Sequence, residues 1–195
     1  MTTIFAFDTA TQAASCALIC DGEVFGERLT EARSVLAAAD ELIRAAGLAP
    51  GGIDALVVGT GPGSFTSIRI GLATARGLGL ALGIPAAGVS TFHVFQGGVP
   101  VIDAKRGQVF TALGGSGRPT AGPPEELEVE GLRLVGDGAV RYRVAFEAAG
   151  AEVPPDGDPA HLPAARLLPA HAERFGPAEA LEPLYVRAPD AVRAR

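Results

Sequence analysis

One stretch of the chain, from residue 53 to residue 82, constrains the fold more than any other. The run Ile53–Val58 is short, contains three β-branched residues and predicts a buried strand. The segment Gly61-Pro62-Gly63-Ser64 then predicts a tight structural turn, because glycine permits positive φ and proline fixes its own. Its serine is expected to cap a helix that runs to about Leu82. A strand, a turn and a capped helix in this order favour an α/β fold.

The same turn resembles a phosphate site only in outline. Free N–H groups at the start of a helix attract anions, so a strand–turn–helix unit could receive one. However, no Lys-Ser/Thr pair follows Gly63, and Ser64 stands where a G-x-G-x-x-G dinucleotide fingerprint needs its third glycine. The known phosphate-binding patterns therefore do not apply.

The predicted helix between residues 65 and 82 is apolar on nearly all sides. Its only charges, Arg69 and Arg76, are seven residues apart and share one face. The glycines within it weaken a helix by about 1 kcal/mol each relative to alanine, so close approach by a neighbouring element is the expected reason for them. That neighbour is either the chain's own sheet or another protein. For the two arginines, an internal ion pair with an adjacent helix and a contact with a partner remain equally open.

Composition narrows the class of protein. The chain has 195 residues, 48% of them hydrophobic, which suits one domain or two small lobes with a real core. The net charge of −6 does not suggest a nucleic-acid binder. We see neither an export signal nor a membrane span. Cys16 and Cys20 fall on one predicted strand, too far apart to bridge, which favours a reduced cytoplasmic protein without a zinc site.

Short strands and one helix precede the central stretch. Ser34 is expected to cap a helix to about Ala46, with one apolar stripe. A short apolar segment follows the long helix and ends near Val89. The predicted strands of the first thirty residues are Ile4–Phe7, Ser15–Cys20 and Glu23–Leu29.

An internal echo indicates two related halves. Residues 99–113 repeat the plan of residues 5–19, in which a buried strand ends in aspartate, turns and returns as a second apolar strand. This predicts a first lobe of residues 1–98 and a shortened second lobe of residues 99–195. Within the second lobe we expect a loop or linker over residues 114–124, then a strand at Leu132–Val135 and a helix at about Val140–Ala149. The proline-rich remainder allows either short helices around Ala160–Leu168 and Ala170–Phe175 or looser structure.

Several motifs in a fixed order resemble the TsaB family, also called YeaZ. They include Ala6-Phe7-Asp8-Thr9-Ala10-Thr11, residues 61–73 with the pattern G-P-G-S-F-T-x-x-R-I-G, Ile102-Asp103-Ala104-Lys105-Arg106-Gly107, Val135-Gly136-Asp137-Gly138-Ala139 and Pro183-Leu184-Tyr185-Val186-Arg187. The resemblance runs almost from end to end. The family's usual glycine is replaced by Ser67, and Val35 stands where a histidine often follows the serine.

The resemblance implies an actin-like ATPase fold, related to ribonuclease H, with two lobes of which the second is reduced. It also implies a partner subunit in the formation of N6-threonylcarbamoyladenosine at position 37 of tRNAs that read ANN codons. The expected partners are the catalytic paralogue TsaD and, through the complex, the small ATPase TsaE. Contact with tRNA is expected only through that complex. A homodimer is a further option.

Two strand-end aspartates keep an alternative function open, that of a small ATPase or kinase. Asp8 and Asp103 end equivalent strands, where actin-like ATPases hold Mg²⁺, so ATP or ADP with Mg²⁺ is the candidate cofactor at the lobe or subunit interface. The other candidate nucleotide-binding residues are Thr9, Thr11, Gly136 and Gly138. Against hydrolysis, no glycine follows Asp8 to let a phosphate approach the backbone. The simpler interpretation is that both aspartates accept hydrogen bonds from turn amides.

The sequence contains no recognisable catalytic or metal-binding arrangement. The three histidines, His93, His161 and His171, do not form the H-x-x-x-H pair that holds the metal of the catalytic paralogue. Gly-Pro-Gly-Ser-Phe is not a G-x-S-x-G nucleophile elbow. We therefore expect no activity from the chain alone.

The small-residue faces of the two predicted helices are the expected partner interface. Paired with the matching helices of a second subunit, they would form a four-helix contact. The residues assigned to this interface are Ala38, Leu42, Ala45, Ile68, Arg69, Leu72, Ala75 and Arg76.

Overall fold

A computed structural model of the chain describes residues 2–113 and 118–187. Within them the strands are β1 Thr3–Asp8, β2 Ala14–Cys20, β3 Glu23–Thr30, β4 Ala55–Gly59, β5 Ala86–Val89, β6 Val99–Pro100, β7 Ile102–Lys105, β8 Gln108–Thr111, β9 Thr120–Gly122 and β10 Leu134–Val135. The α-helices are α1 Val35–Ala45, α2 Phe65–Leu82, α3 Asp137–Arg141 and α4 Arg143–Ala148. Short 3₁₀ helices cover Ala32–Ser34, Pro50–Gly52, Thr91–Val94, Pro124–Glu126, Pro159–His161, Ala165–His171 and Ala178–Ala180.

The first half of the chain forms a five-stranded mixed sheet in the order β3-β2-β1-β4-β5. Strand β2 runs antiparallel to both β1 and β3, whereas β4 pairs in parallel with both β1 and β5. Parallel neighbours require a crossover connection, and helix α1 between β3 and β4 and helix α2 between β4 and β5 provide it. The predicted α/β class is confirmed.

Side chains alternate between the two faces of this sheet, as the strand repeat of two requires. Phe5, Phe7 and Leu18 point to the face that α1 and α2 cover, where they join one core cluster with Leu42, Leu72 and Ala75. The intervening Ala6, Ala17 and Val57 join a second cluster on the opposite face. The helices thus bury one face of the sheet, and the second half of the chain buries the other.

The second half repeats the strand plan of the first. Strands β6 and β7 lie on either side of Val101; β8 pairs antiparallel with β7, and β9 antiparallel with β8. On the other side β10 runs parallel to β6, as β4 does to β1. A parallel bridge between Arg133 and Glu152 stands where the first half has the pair β4–β5.

The two halves share one core cluster and the second half has another of its own. Ile102, Phe110 and Val135 pack with Ala6 and Val57 of the first sheet and with the 3₁₀ segment at residues 165–171. The alternate residues Val101 and Val109 face away from it and pack on the α3–α4 segment. Helices therefore cover the outer face of each sheet, and the inner faces meet around the shared cluster.

Several sequence-based boundaries need correction. The hydroxyl of Ser34 makes no capping hydrogen bond to α1, because a 3₁₀ turn leads directly into the helix. The helix expected over Val140–Ala149 is two short helices that meet at Tyr142, whose φ of −110° is not helical. The expected strand at Leu132–Val135 is only two residues long. In place of short helices at Ala160–Leu168 and Ala170–Phe175, 3₁₀ segments cover Pro159–His161 and Ala165–His171, and the residues between and after them form looser structure, the other option.

The linker expected over residues 114–124 is also partly corrected. Residues 114–117 lie outside the described residues. Thr120–Gly122 form the third strand of the second sheet, a position that glycine and threonine composition alone does not reveal.

Candidate functional site

The glycine turn holds the start of α2 against the loop after β1. Gly61, at φ +105°, donates its N–H to the Thr91 hydroxyl at 3.0 Å. Ser64 donates its N–H to the Ala10 carbonyl at 2.7 Å, and its hydroxyl accepts the N–H of Ser67 at 3.4 Å as the helix cap. A Cβ on Gly63 would lie 2.2 Å from the Ala10 oxygen, so this position requires glycine for close approach. Pro62 is buried within the same turn.

Asp8 is wholly buried at the end of β1. One carboxylate oxygen accepts the Thr91 hydroxyl at 2.6 Å and the other accepts the N–H of Ala10 at 2.8 Å. A Cβ on Gly59 would lie 1.6 Å from this carboxylate, so the glycine makes room for it. Burial raises the pKa of Asp8 to about 6, although the bonds from Thr91 and Ala10 oppose that rise.

Two further carboxylates, Asp103 and Asp137, lie together, and Asp137 joins the two halves of the chain. Asp137 accepts the N–H of Asp103 at 3.1 Å and the N–H of Gln12, from the loop after β1, at 3.4 Å. Asp103 accepts the N–H of Lys105 at 2.9 Å and the Lys105 ammonium at 2.7 Å. Burial raises the pKa of Asp137, and the charge of Asp103 adds to that rise.

Sequence analysis missed Asp137 as a site residue. The signal available was its position between Gly136 and Gly138, after an apolar run that mirrors the one ending at Gly59. Thr91, the hydroxyl partner of Asp8, lies 83 residues away along the chain, so no local pattern could reveal it.

The remaining candidate nucleotide residues all have roles in the fold. Thr9 donates its hydroxyl to the Ser67 carbonyl in α2 at 2.7 Å, and Thr11 donates to the Ala13 carbonyl at 2.7 Å. Gly136, at φ +101°, donates its N–H to Nδ1 of His161 at 3.2 Å. A Cβ on Gly138 would lie 2.8 Å from the Ile102 carbonyl carbon, so this glycine lets α3 approach β7.

These contacts decide whether the cleft between the halves fits a nucleotide phosphate. The cleft has a volume of about 640 Å³, and Thr11, Gln12, Asp103, Asp137 and His161 help to line it. Of the turn amides at this cleft, that of Gln12 donates to Asp137, which also accepts the N–H of Asp103. A phosphate at the Gln12 amide would have to displace Asp137, which lines the cleft beside Asp103. This amide therefore does not fit a phosphate group while Asp137 accepts its hydrogen bond.

The three histidines make contacts within the fold. His161 is buried and bonded at both ring nitrogens, to the Gly136 amide and to the Pro154 carbonyl at 2.9 Å. His93 and His171 stack with ring centroids 3.9 Å apart. Within residues 2–113 and 118–187, no three His, Cys, Asp or Glu side chains are grouped so as to hold a metal ion.

The structure narrows the expected partner interface. Ala38, Leu42, Ile68, Leu72 and Ala75 are at most 8% exposed and pack on the chain's own first sheet, so their side chains offer no surface to a partner. Their apolar character reflects the core. Ala45, Arg69 and Arg76 are exposed.

The two arginines of α2 bind the C-terminal segment of the chain. Arg69 donates from Nε to the Tyr185 hydroxyl at 3.1 Å, and its guanidinium lies 3.8 Å from the centre of the Phe65 ring. Arg76 donates to the Leu181 carbonyl at 2.5 Å. Neither bond joins an acidic side chain on a neighbouring helix, the ion pair that sequence analysis left open.

The chain is similar in sequence to known proteins. The family model for TsaD, tRNA N6-adenosine threonylcarbamoyltransferase, matches residues 31–120. A protein of Mycobacterium tuberculosis is 36% identical over 210 residues, spanning 98% of this chain and 94% of its own length. The tRNA threonylcarbamoyladenosine biosynthesis protein TsaB of Escherichia coli is 36% identical over 123 residues, 56% of this chain and 53% of that protein.

A solved structure extends the likeness to both halves. YeaZ from Pseudomonas aeruginosa superposes with a TM-score of 0.78 at 26% identity and covers 95% of this chain and 100% of its own. The chain belongs to the TsaB (YeaZ) family. Its fold is accordingly the actin-like, ribonuclease H-like α/β fold that the motifs implied.

Membership of the TsaB family connects the chain to relatives named for threonylcarbamoyladenosine biosynthesis in tRNA. The sequence match to the named TsaB proteins of Escherichia coli and Bacillus subtilis spans about half of their length. No helix in the described part of the chain is both long and apolar enough to cross a membrane.

Proposed function

We propose that this chain is a non-catalytic partner subunit that binds and activates the TsaD paralogue of the same genome. The complex, joined by the ATPase TsaE, would form N6-threonylcarbamoyladenosine at position 37 of tRNAs reading ANN codons, in the cytoplasm where tRNA is modified. The named TsaB relatives support the pathway. The turn amides of Ala10, Gln12 and Lys105 donate to the chain's own aspartates, and these contacts support a role without nucleotide chemistry.

One observation on helix α2 carries the proposed interface. Gly71 and Gly79 face the chain itself, because a Cβ there would lie 2.4 Å from Thr9 and from Ala178 respectively. Gly77 has no atom within 4 Å of such a Cβ, so no internal contact explains it. It lies on the exposed face beside Ala73, and Leu80 on that face is 74% exposed. A large exposed leucine among small residues favours close packing by another helix.

Helix α1 extends the same interface. Leu36 is 52% exposed, and Ala37 and Ala45 are exposed on the side of α1 away from the sheet. Because α1 and α2 cover one face of the first sheet, their outer sides together present a two-helix surface. We therefore assign the partner surface to Leu36, Ala37, Ala45, Ala73, Arg76, Gly77 and Leu80, and keep Arg69 at its edge.

Co-purification with the TsaD paralogue tests this assignment. We expect the parent chain to elute with TsaD as one species on a sizing column. Leu80→Arg should abolish that species and leave the circular dichroism melt unchanged, because a residue so exposed contributes little to the monomer. Val144→Arg on α4 is the matched control, since Val144 is 82% exposed and lies outside this surface.

The outcomes separate the remaining options. If only Leu80→Arg abolishes the complex, the assignment of the partner surface is supported. If both Leu80→Arg and Val144→Arg abolish it, or if neither does, the assignment is wrong. If the parent chain elutes as a dimer of itself and never with TsaD, the surface serves a homodimer and the proposed function is wrong.

A further inference from the structure

Strand β3, at one end of the first sheet, exposes three large apolar side chains. Val24, Phe25 and Leu29 are 46%, 47% and 49% exposed. The strand at the other end of the sheet, β5, exchanges backbone hydrogen bonds at Ala86 with Gly176, at 2.9 Å and 3.0 Å. An exposed apolar edge strand can pair with a strand of another molecule. We call residues 23–30 with their outward side the β3 edge.

The sheet ladder determines which backbone groups of β3 point outward. In an antiparallel pair, residues bonded to the neighbouring strand alternate with residues that face away from it. Asp21 donates its N–H to the Thr2 carbonyl at 2.8 Å, so the odd-numbered residues of β2 bond to β1. Glu27 and Leu29 lie opposite odd-numbered residues, and their N–H and C=O groups therefore point outward. The Glu27 carbonyl accordingly accepts the exposed Arg28 guanidinium at 3.0 Å.

The β3 edge is symmetrical about Glu27. The β2 residues opposite Val24, Glu27 and Leu29 are Ile19, Ala17 and Ser15, which alternate onto the inner face of the sheet. A bulge adds Phe25 to the strand and keeps Val24 on that same face. Val24 and Leu29 thus lie two ladder steps to either side of Glu27.

An apolar hollow lies beside Leu29, at one end of the β3 edge. Its volume is about 360 Å³, and the exposed Leu162, Pro163 and Ala164 help to line it. At the other end of the edge, Val24 is an exposed apolar side chain on the same face. A projecting side chain at one end and a hollow at the other are complementary when two copies of the edge run in opposite directions.

The charge at the centre of this symmetry is already neutralised. The Glu27 carboxylate accepts the N–H of Arg166 at 3.1 Å and pairs with the Arg166 guanidinium. Like charges directly opposite each other destabilise a strand pair. Here each carboxylate brings its own cation to the axis, so two copies can meet there without net charge.

We propose that the β3 edge binds the β3 edge of a second copy of this chain, antiparallel about a twofold axis at Glu27. The backbone groups of Glu27 bond to the second copy, whose N–H replaces the Arg28 guanidinium. Val24 of each copy packs against Leu29 and the hollow of the other, and the two five-stranded sheets join end to end. This inference goes beyond the proposed function, because it does not use the outer side of α1 and α2.

Sedimentation equilibrium of the full isolated chain tests the proposal. We expect a dimer for the parent. Val24→Lys alone or Leu29→Glu alone should weaken dimerisation by about tenfold or more, because each places a charge against an apolar residue twice in the dimer. These side chains are about half exposed, so both variants should keep the parent's circular dichroism melt.

Combining the two substitutions tests the register. In a chain with both Val24→Lys and Leu29→Glu, an ammonium lies opposite a carboxylate twice. We expect this dimer to be about fivefold or more tighter than that of either single variant. Added salt should weaken it and should leave the parent dimer unchanged, because only the combined variant depends on exposed ion pairs.

Leu80→Arg is the control, since Leu80 lies on α2 in the surface proposed for TsaD, and it should leave the dimer intact. A monomeric parent, a dimer that Leu80→Arg abolishes and Val24→Lys does not, or a combined variant no tighter than the single ones would overturn the proposal. Co-elution with TsaD is read separately. A monomeric parent that pairs with TsaD disproves only this inference, and a β3-edge dimer that never pairs with TsaD disproves only the proposed function.

Discussion

At the scale of single residues, aspartates accept the N–H groups of residues near the ends of strands β1 and β7. Asp8 keeps the strand-end position of a magnesium-binding carboxylate, but its oxygens accept from Thr91 and Ala10. Asp137 and Asp103 do the same for the amides of Gln12 and Lys105. Each carboxylate thus satisfies a backbone N–H group, as buried polar groups require.

The raised pKa of Asp8 leads to a prediction on stability. Because its pKa rises from 3.8 to about 6 on folding, the native state favours the protonated form. The stability that Asp8 contributes is full below about pH 4 and is lost as pH rises through 6, a difference of about 3 kcal/mol. Asp8→Asn should therefore stabilise the protein by about 1–3 kcal/mol more at pH 8 than at pH 4.

Urea unfolding of parent and variant at both pH values measures this difference. Comparing the two chains at each pH cancels the titration of all other groups. An equal effect of Asp8→Asn at pH 4 and pH 8 would show that burial does not raise the pKa of Asp8.

At the scale of elements, the glycines of helix α2 differ in what a side chain at their positions would contact. A Cβ on Gly71 would clash with Thr9 and one on Gly79 would clash with Ala178, whereas Gly77 faces open space. Sequence analysis attributed all of them to close approach. The structure confirms this for Gly71 and Gly79, whereas a Cβ on Gly77 would meet no atom within 4 Å, and the contact of Gly77 with a partner stays a proposal.

Two alanine substitutions separate these reasons. Gly77→Ala should stabilise the isolated chain by about 0.5–1 kcal/mol, since alanine is the better helix former and the Cβ meets nothing. Gly79→Ala should destabilise it by about 1–3 kcal/mol, because the new Cβ would lie 2.4 Å from that of Ala178. Chemical denaturation followed by circular dichroism measures both; the same sign for both variants would mean that the packing of α2 is misassigned.

Local patterns predicted elements well where one face is buried and the signal is short-range. The α2 helix, its Ser64 cap and the first three strands follow from periodicity and capping chemistry. The partner surface could not be assigned from local patterns in the same way. An apolar helical stripe that contains Leu42 or Leu72 gives the same pattern whether it faces the chain's own sheet or a partner. The Asp8–Thr91 and Gln12–Asp137 bonds join residues distant in sequence, so only the fold reveals them.

At the scale of the whole molecule, the repeated strand plan produces a fold whose two outer faces are covered by helices. The inner faces meet around the shared cluster that contains Ile102 and Phe110. Among the described residues, the outer side of helices α1 and α2 includes the exposed side chains of Leu36 and Leu80. The proposed partner role uses this outer side of the first helical layer.

The central claim is that the chain serves TsaD as a partner and contributes no catalytic group. The most direct measurement is the rate of threonylcarbamoyladenosine formation on tRNA by the TsaD paralogue, with all other components constant. We predict that the rate rises when the parent chain or Asp8→Asn is added, and does not rise with Leu80→Arg. An equal rate without the chain, or loss of activity in a folded Asp8→Asn that still binds TsaD, would contradict the claim.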